Sequence, residues 1–274
     1  MKITYIGHAT LLLELGGATL LTDPNFDDAL GKFAIGWRLK RVAPPGIALD
    51  ALPHLDGVLV THAHVDHLSF ASLRALQERQ PDVPVWAPPA IARWLDAKGF
   101  AEARPIASGD TAPLAGDVRV HAEAATHAAA RYGFDKWRDE ANMYLLEARD
   151  ESVFFAGDTA LTETTHHLAD RVRAAAGGRA LDVALLPIGH PPAWKMKSFR
   201  EGHLTYEDAL ELFDRLKARL LVPYHWGTFN HFTSGANDAI ERLRAHLPTH
   251  ARVRDVRIIE PGEALEVDRA EARA

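Results

Sequence analysis

Val58-Leu59-Val60-Thr61-His62-Ala63-His64-Val65-Asp66-His67-Leu68 begins as an apolar run and ends as a loop crowded with polar side chains. Val58 to Val60 has the character of a short buried strand, and a helical pattern follows from Ser69. A loop at the end of a buried strand is held by a rigid sheet, which is where chemistry is usually placed. His-x-His-x-Asp-His sets four metal-ligand side chains within residues 62–67. One tetrahedral ion taking all four from so tight a loop would leave no position for anything else. Dividing them, His62 and His64 to one ion and Asp66 and His67 to a second, relieves the crowding and predicts further ligands downstream.

Composition narrows the chemistry. The chain has 274 residues, 47% of them apolar and 25% charged, enough for a full core in a soluble globular protein. A net charge of -6 argues against a general nucleic-acid surface, so no nucleic-acid partner is expected. Cysteine is absent, which excludes disulfides, iron–sulfur clusters and thiolate zinc sites. Any metal must be held by imidazole and carboxylate, and the 15 histidines meet that demand. The start, Met1-Lys2-Ile3-Thr4-Tyr5, does not read as a signal peptide, and Glu14 interrupts Leu11-Leu12-Leu13, so no membrane span is expected. A cytoplasmic protein is the expectation.

Read in order, Lys2 to Ile6, Thr10 to Leu15 and Ala18 to Leu21 are three short strands, the last two joined by a Gly16-Gly17 hairpin turn. Residues 25 to 53 form a long irregular loop, a length more often functional than idle. A helix from Ser69 to Gln80, a strand from Val83 to Ala87 and a helix from Pro88 to Lys98 follow. Further strands are expected at Ala103 to Ile106, Val118 to Ala124, Met143 to Glu147, Ser152 to Ala156, Leu181 to Leu186, Leu220 to Val222 and Val256 to Ile259. Helices are expected at Leu161 to Ala176, after a Thr205-x-x-Asp208 capping box, and at Ala236 to Ala245. The reading is α+β, an αββα sandwich of two packed mixed sheets flanked by helices, as one domain over residues 1–268 with a frayed tail at 269–274.

The strands expected before residues 62, 127, 158 and 225 each lead into a histidine or an aspartate. This pattern resembles the metallo-β-lactamase-fold hydrolases along essentially the whole chain. The resemblance implies that His62, His64 and His127 hold one ion, that Asp66, His67 and His225 hold a second, and that Asp158 bridges both. The commonest β-lactamases use a cysteine ligand and lack the bridging aspartate, and flavin-associated di-iron relatives place Glu where His64 stands. Antibiotic hydrolysis and oxygen reduction are therefore set aside. Gly7-His8-Ala9-Thr10, Thr22-Asp23-Pro24, Gly157-Asp158-Thr159, Trp194-Lys195-Met196-Lys197 and His225-Trp226-Gly227-Thr228-Phe229 further resemble the N-acyl-phosphatidylethanolamine-hydrolysing phospholipase D branch, near the ascorbate-6-phosphate lactonase-like proteins. The chain lacks that enzyme's long N-terminal extension and departs from it between His190 and His203.

The resemblance implies a hydrolase in which two divalent ions, zinc before iron or manganese, share a hydroxide. A phosphodiester in a small-molecule or lipid-like substrate is the leading target, a lactone or other acyl bond the alternative, and a non-catalytic metal sensor the remote one. Asp66 would ligate the second ion and hold the hydroxide's proton, and His203 would donate a hydrogen bond to a substrate oxygen. His8 reads first as a packed core histidine and second as a residue orienting a ligand. Asp23 reads as a turn former or as the acceptor for a ligating imidazole. Lys40, Arg41, Lys195 and Lys197 read as a solvated face before a phosphate site, His190 as a candidate for reaching the site, and Trp37, Trp194 and Trp226 as core or pocket wall.

Overall fold

The computed structural model describes residues 1–31, 39–131, 137–162, 167–189, 202–230 and 235–268. Lys2–Gly7 (β1), Thr10–Leu15 (β2) and Ala18–Thr22 (β3) form an antiparallel meander. Leu15 pairs with Ala18, so Gly16 and Gly17 make a two-residue turn, and their φ of +54° and +77° is the left-handed pair that such a hairpin requires. Ala29–Leu30 (β4) and Leu39–Lys40 (β5) then pair as a small ribbon inside what the sequence marks as irregular loop. Gly57–Leu59 (β6), Val85–Ala87 (β7) and Ala103–Pro105 (β8) continue beyond β3 as parallel strands. Phe70–Arg79 (α1) and Pro89–Asp96 (α2) are the crossovers between them.

The second sheet starts with Thr111–Pro113 (β9), Arg119–Ala124 (β10), Asn142–Glu147 (β11) and Ser152–Phe155 (β12), all antiparallel. After Leu168–Ala175 (α3), strand Val183–Pro187 (β13) lies parallel to β12; after Tyr206–Leu216 (α4), strand Leu220–Tyr224 (β14) lies parallel to β13. Asp238–His246 (α5) leads to Ala264–Glu266 (β15), which returns to pair with β1. The first sheet has the order β15-β1-β2-β3-β6-β7-β8 and the second β14-β13-β12-β11-β10-β9.

Alternation along the strands builds the layers. On β1, β2, β3 and β6, the side chains of Tyr5, Leu11, Leu13, Leu20 and Leu59 join Phe154, Leu185 and Leu221 of the second sheet in one apolar cluster. Their neighbours Ile6, Leu12, Leu21, Val58 and Val60 face the other way, onto Leu73 and Leu76 of α1 and Ile91 and Leu95 of α2. Phe213 and Leu216 of α4, with Ile240 and Leu243 of α5, belong to the cluster shared with the second sheet. This is the two-sheet α+β sandwich expected from the pattern. Among the described residues, no helix is long and apolar enough to cross a membrane.

One expectation is corrected. Val256–Ile259 is not a strand: Val256 makes an isolated bridge to Leu221, while Val256 and Ile259 are buried as plain packing residues. The closing strand is β15 instead, a short edge strand whose alternating exposure offers little apolar signal. Within the span expected to be mostly helical, Leu161 to Ala176, the described helix is Leu168–Ala175, and residues 163–166 lie outside the described residues; ahead of it, Thr159 and Ala160 are tied to Thr126 by hydrogen bonds of 3.0 and 3.1 Å. The expected tail, 269–274, lies outside the described residues.

The capping box at Thr205 is present in full, with the Thr205 hydroxyl accepting from Asp208 N and the Asp208 carboxylate accepting from Thr205 N. Thr205 is buried, so water does not replace the lost bond. Thr205→Ala is expected to lower folding stability by about 1–2 kcal/mol. The check is a shifted urea midpoint at constant m-value.

Candidate metal centre

Seven of the loops' side chains meet where the strand C-termini converge. The loop after β6 delivers His62, His64, Asp66 and His67, the loop after β10 delivers His127, and those after β12 and β14 deliver Asp158 and His225. They fall into two groups, each with ligand atoms within 4.8 Å of one another: His62, His64, His127 and Asp158 in one, and His8, Asp66, His67 and His225 in the other. Asp158 faces both groups, since its oxygens also lie 3.4 Å from His67 Nε2 and 3.4 Å from His225 Nε2. His203 Nε2 is 3.4 Å from Asp158 Oδ2, and its ring stands edge-on to His127 with centroids 4.8 Å apart. Every residue read from the sequence as a ligand is in the cluster, and His203 borders it.

The hydrogen bonds behind the rings fix which nitrogen faces inward. Thr61 Oγ1 donates its one proton to Asp23 Oδ2 at 2.7 Å, so it accepts from His62 Nδ1 at 2.9 Å. His62 Nε2 is then left as a bare lone pair, buried and without a hydrogen-bond partner among the described residues. His67 Nδ1 donates to the same Asp23 oxygen at 2.7 Å, and His127 Nδ1 donates to Gly202 O at 2.7 Å. Outer partners of this kind orient the imidazoles of metal sites. The orphaned His62 Nε2, beside His64, His127 and Asp158, is the observation that fits a divalent ion: a nitrogen so buried is otherwise costly.

Asp23 is therefore more than a turn former. It is completely buried, and besides the two hydroxyl and imidazole bonds it accepts from Thr61 N at 2.7 Å. His8 is more than a core histidine, for its Nε2 meets Asp66 Oδ2 at 2.9 Å and its ring lies 3.8 Å from that of His225. The backbones of His8, Asp23 and His225 all have positive φ, 56°, 34° and 69°, a conformation that non-glycine residues rarely adopt and that clusters at functional sites. Gly189 leaves the room His225 needs, since a Cβ there would stand 2.0 Å from His225 Nδ1.

Electrostatics matches this packing. Burial, with His67, His127 and His64 nearby, holds His62 well below the usual imidazole range. Burial likewise lowers His64 and His225, and brings His127 down to about 3. Burial pushes Asp66 and Asp158 up, but His67 and its neighbouring imidazoles outweigh it and hold both carboxyls well below their ordinary value. Burial opposes protonation of His67, yet Asp158, Asp23 and Asp66 together raise it well above the ordinary range. Burial raises Asp23.

Of the other expectations, Arg41 spends Nε on Asp27 O at 2.9 Å and Nη2 on Asn25 O at 2.7 Å, so its role here is to tie two loops together. Lys40 is exposed on β5, and Trp226 is buried in the core. His190, Lys195, Lys197, Trp194 and Trp37 lie outside the described residues. Two loop anchors escape sequence reading altogether. Asn25 Nδ2 donates to Val65 O and Asp66 O at 3.0 and 3.1 Å, and Arg131 donates to Ala63 O and Leu68 O at 2.7 and 2.9 Å.

Comparison with known proteins agrees with this geometry. Residues 18–226 match the family described as Beta-lactamase superfamily domain. The chain is 30% identical over 276 residues to a UPF0173 metal-dependent hydrolase of Solibacter usitatus, covering 97% of this chain and 100% of that protein. It is 26% identical over 235 residues to N-acyl-phosphatidylethanolamine-hydrolyzing phospholipase D 1 of Caenorhabditis elegans, covering 82% of this chain. The match takes in 64% of that phospholipase, so the chain spans less than two thirds of its length. Among solved structures, the isothiocyanate hydrolase from Delia radicum gut bacteria superposes with a TM-score of 0.78 at 20% identity, over 97% of this chain and 99% of that one. Igni18, a metallo hydrolase from Ignicoccus hospitalis, does so at 0.69 and 24% identity, over 97% and 99%. At such identities the two superpositions show the fold.

Two outcomes follow from the site's interior. Asp23→Asn keeps the volume but removes the charge that three donors share; it is expected to weaken metal binding about 10- to 100-fold, read by chelator competition. In the metal-free protein, His127 stays neutral down to about 3 while the unfolded residue takes up its proton near 6.5. A depressed histidine makes the folded state bind fewer protons, so stability falls as pH drops from 6.5 towards 3. Urea unfolding across that window is expected to show a shallower fall in His127→Asn, by up to about 1.4 kcal/mol per pH unit.

Proposed function

The chain belongs to the β-lactamase superfamily and is a metal-dependent hydrolase, and from that premise we propose that it cleaves a phosphodiester at a binuclear centre. The observation that carries the reading is the pair of adjacent donor groups with Asp158 facing both. His62, His64 and His127 would hold one ion, Asp66, His67 and His225 the other, with Asp158 between them. All donors are imidazole or carboxylate and cysteine is absent, a set that suits zinc, with iron or manganese next. Divalent ions held there supply Lewis-acid charge, which acidifies water and stabilises charge developing on the phosphoryl oxygens.

The protein groups contribute position and proton control. Asp66 presents a carboxylate kept ionised by His67, His8 and His225, a form that accepts hydrogen bonds and would hold the proton of a hydroxide. His203, on the border of the cluster and partly exposed, is placed to donate from Nε2 to a substrate oxygen next to Asp158. The name of the phospholipase D relative supports a phosphodiester within a lipid-like substrate for this chain.

The test is the metal content of the purified protein, followed by turnover of bis-p-nitrophenyl phosphate against a panel of lactones and esters. The expected result is about two ions per chain and phosphodiesterase turnover lost on chelation and regained with zinc. Asp158→Ala should lower that turnover about 100-fold or more. His203→Ala should keep both ions and lower kcat about 100-fold. Turnover confined to lactones or esters would replace the phosphodiester reading with an acyl-hydrolase one, and a single tightly held ion would end the binuclear one.

A further inference from the structure

His8 is the one member of the second donor group that comes from the turn between β1 and β2, far in sequence from the other three. Its contacts run to two of them at once. Nε2 lies 2.9 Å from Asp66 Oδ2, the oxygen that itself stands 3.9 Å from His67 Nε2 and 3.8 Å from His225 Nε2. The ring lies 3.8 Å from the His225 ring, and His8 O accepts from His225 N at 2.9 Å. Phe229 backs the other side at 5.3 Å, edge-on. None of the named contacts of His8 reaches His62, His64 or His127.

We propose that His8 is a positioning residue for the second ion alone, holding Asp66 and His225 in register without ligating metal itself. The inference rests on the binuclear reading. A carboxylate oxygen has two lone pairs, so Asp66 Oδ2 accepts from His8 with one and keeps the other for an ion. The imidazole nitrogen that would otherwise ligate is thereby used as a donor. The ring contact and the backbone bond set both the plane and the height of His225. The left-handed backbone of His8, φ +56°, is what lets one residue turn its carbonyl to His225 N while its side chain reaches Asp66. Asp23 and Thr61 serve both groups, whereas His8 serves one, which makes the two sites separable.

The experiment titrates Zn2+ and Co2+ into the metal-free protein against a competing chelator, in wild type and in His8→Ala, His8→Asn and His8→Gln. Asparagine accepts the left-handed backbone well but is too short to reach the place of Nε2, so it guards against a loss caused by strain. Glutamine places an amide donor there. The expected result is two ions in wild type, an unchanged first affinity in all variants, and a second affinity about 10- to 100-fold weaker in His8→Ala and His8→Asn. His8→Gln should recover most of the second affinity, with the Co2+ spectrum of the second site returning. Two ions held unchanged in His8→Ala, or both weakened alike, would overturn the proposal. Failure of His8→Gln to recover the site that His8→Ala loses would overturn it in favour of direct ligation by the imidazole. One ion in wild type would instead sink the binuclear reading itself, before any variant is compared.

Discussion

A single buried carboxylate, Asp23, ties the two halves of the donor cluster together. It is wholly inaccessible to water, and an ion so placed is expensive unless several donors reach it. Three do: Thr61 N, Thr61 Oγ1 and His67 Nδ1, each at 2.7 Å. By engaging the Thr61 hydroxyl it dictates the tautomer of His62, and by engaging His67 it holds a proton on Nδ1 of that ring. One imidazole belongs to each donor group. The residue sits at the end of β3, hydrogen-bonded across to β6 through Asp23 N and Leu59 O at 2.8 Å, so the sheet itself holds the carboxylate in place. Removal of its charge therefore cannot be local.

The same logic recurs in three buried tyrosines. Tyr144 donates to Val60 O at 2.8 Å, Tyr224 to Gly157 O at 2.5 Å and Tyr5 to Trp226 O at 2.7 Å. Each carbonyl lies one or two residues from a donor of the cluster, namely His62, Asp158 and His225. A strand that ends in a buried loop leaves carbonyls without ladder partners, and burial without a donor costs about 1–3 kcal/mol each. Tyr5 and Tyr144 reach across from the facing sheet and Tyr224 from within its own, so the core that holds the sandwich also closes the backbone beneath the donor cluster. Gly157 belongs to this closure: a Cβ there would stand 2.8 Å from Thr61 Cβ, so the two ligand loops touch only because that side chain is missing.

The donor set was legible in the sequence because its chemistry is dense and local: three histidines and an aspartate in six residues, and strand ends that repeat the type. The sandwich was legible from alternation on β1, β2 and β3 and from the capping box at Thr205. What stayed open or escaped was decided at long range. His8 and Asp23 stand 58 and 44 residues from the partners they hold, Asp66 and His67, and nothing in their immediate neighbours distinguishes a ligand-orienting residue from a turn residue. Asn25 and Arg131 act through backbone carbonyls, which carry no side-chain signature at the receiving end. β9 and β15 are three-residue edge strands with mostly exposed faces, below the length at which period-two patterning can be read. Val256 and Ile259 show the converse error, apolar burial without a ladder.

The charges in the cluster say what the protein does before metal arrives. Imidazoles at His62, His64, His127 and His225 are held neutral, so they are already in the form that ligates. Asp66 and Asp158 are held ionised. Those carboxylates, together with Asp23, require a cation among them, and His67 provides it by keeping a second proton. His67 Nε2 stands 3.4 Å from Asp158 and 3.9 Å from Asp66, the positions where a divalent ion's charge would act. A proton on His67 and an ion held in the second group would meet the same electrostatic need and compete for the same lone pair. An ion held by that group would displace this proton, whereas His62, His64 and His127 of the first group are held neutral. The two donor groups thus face one carboxylate, Asp158, but differ in the protonation of their imidazoles.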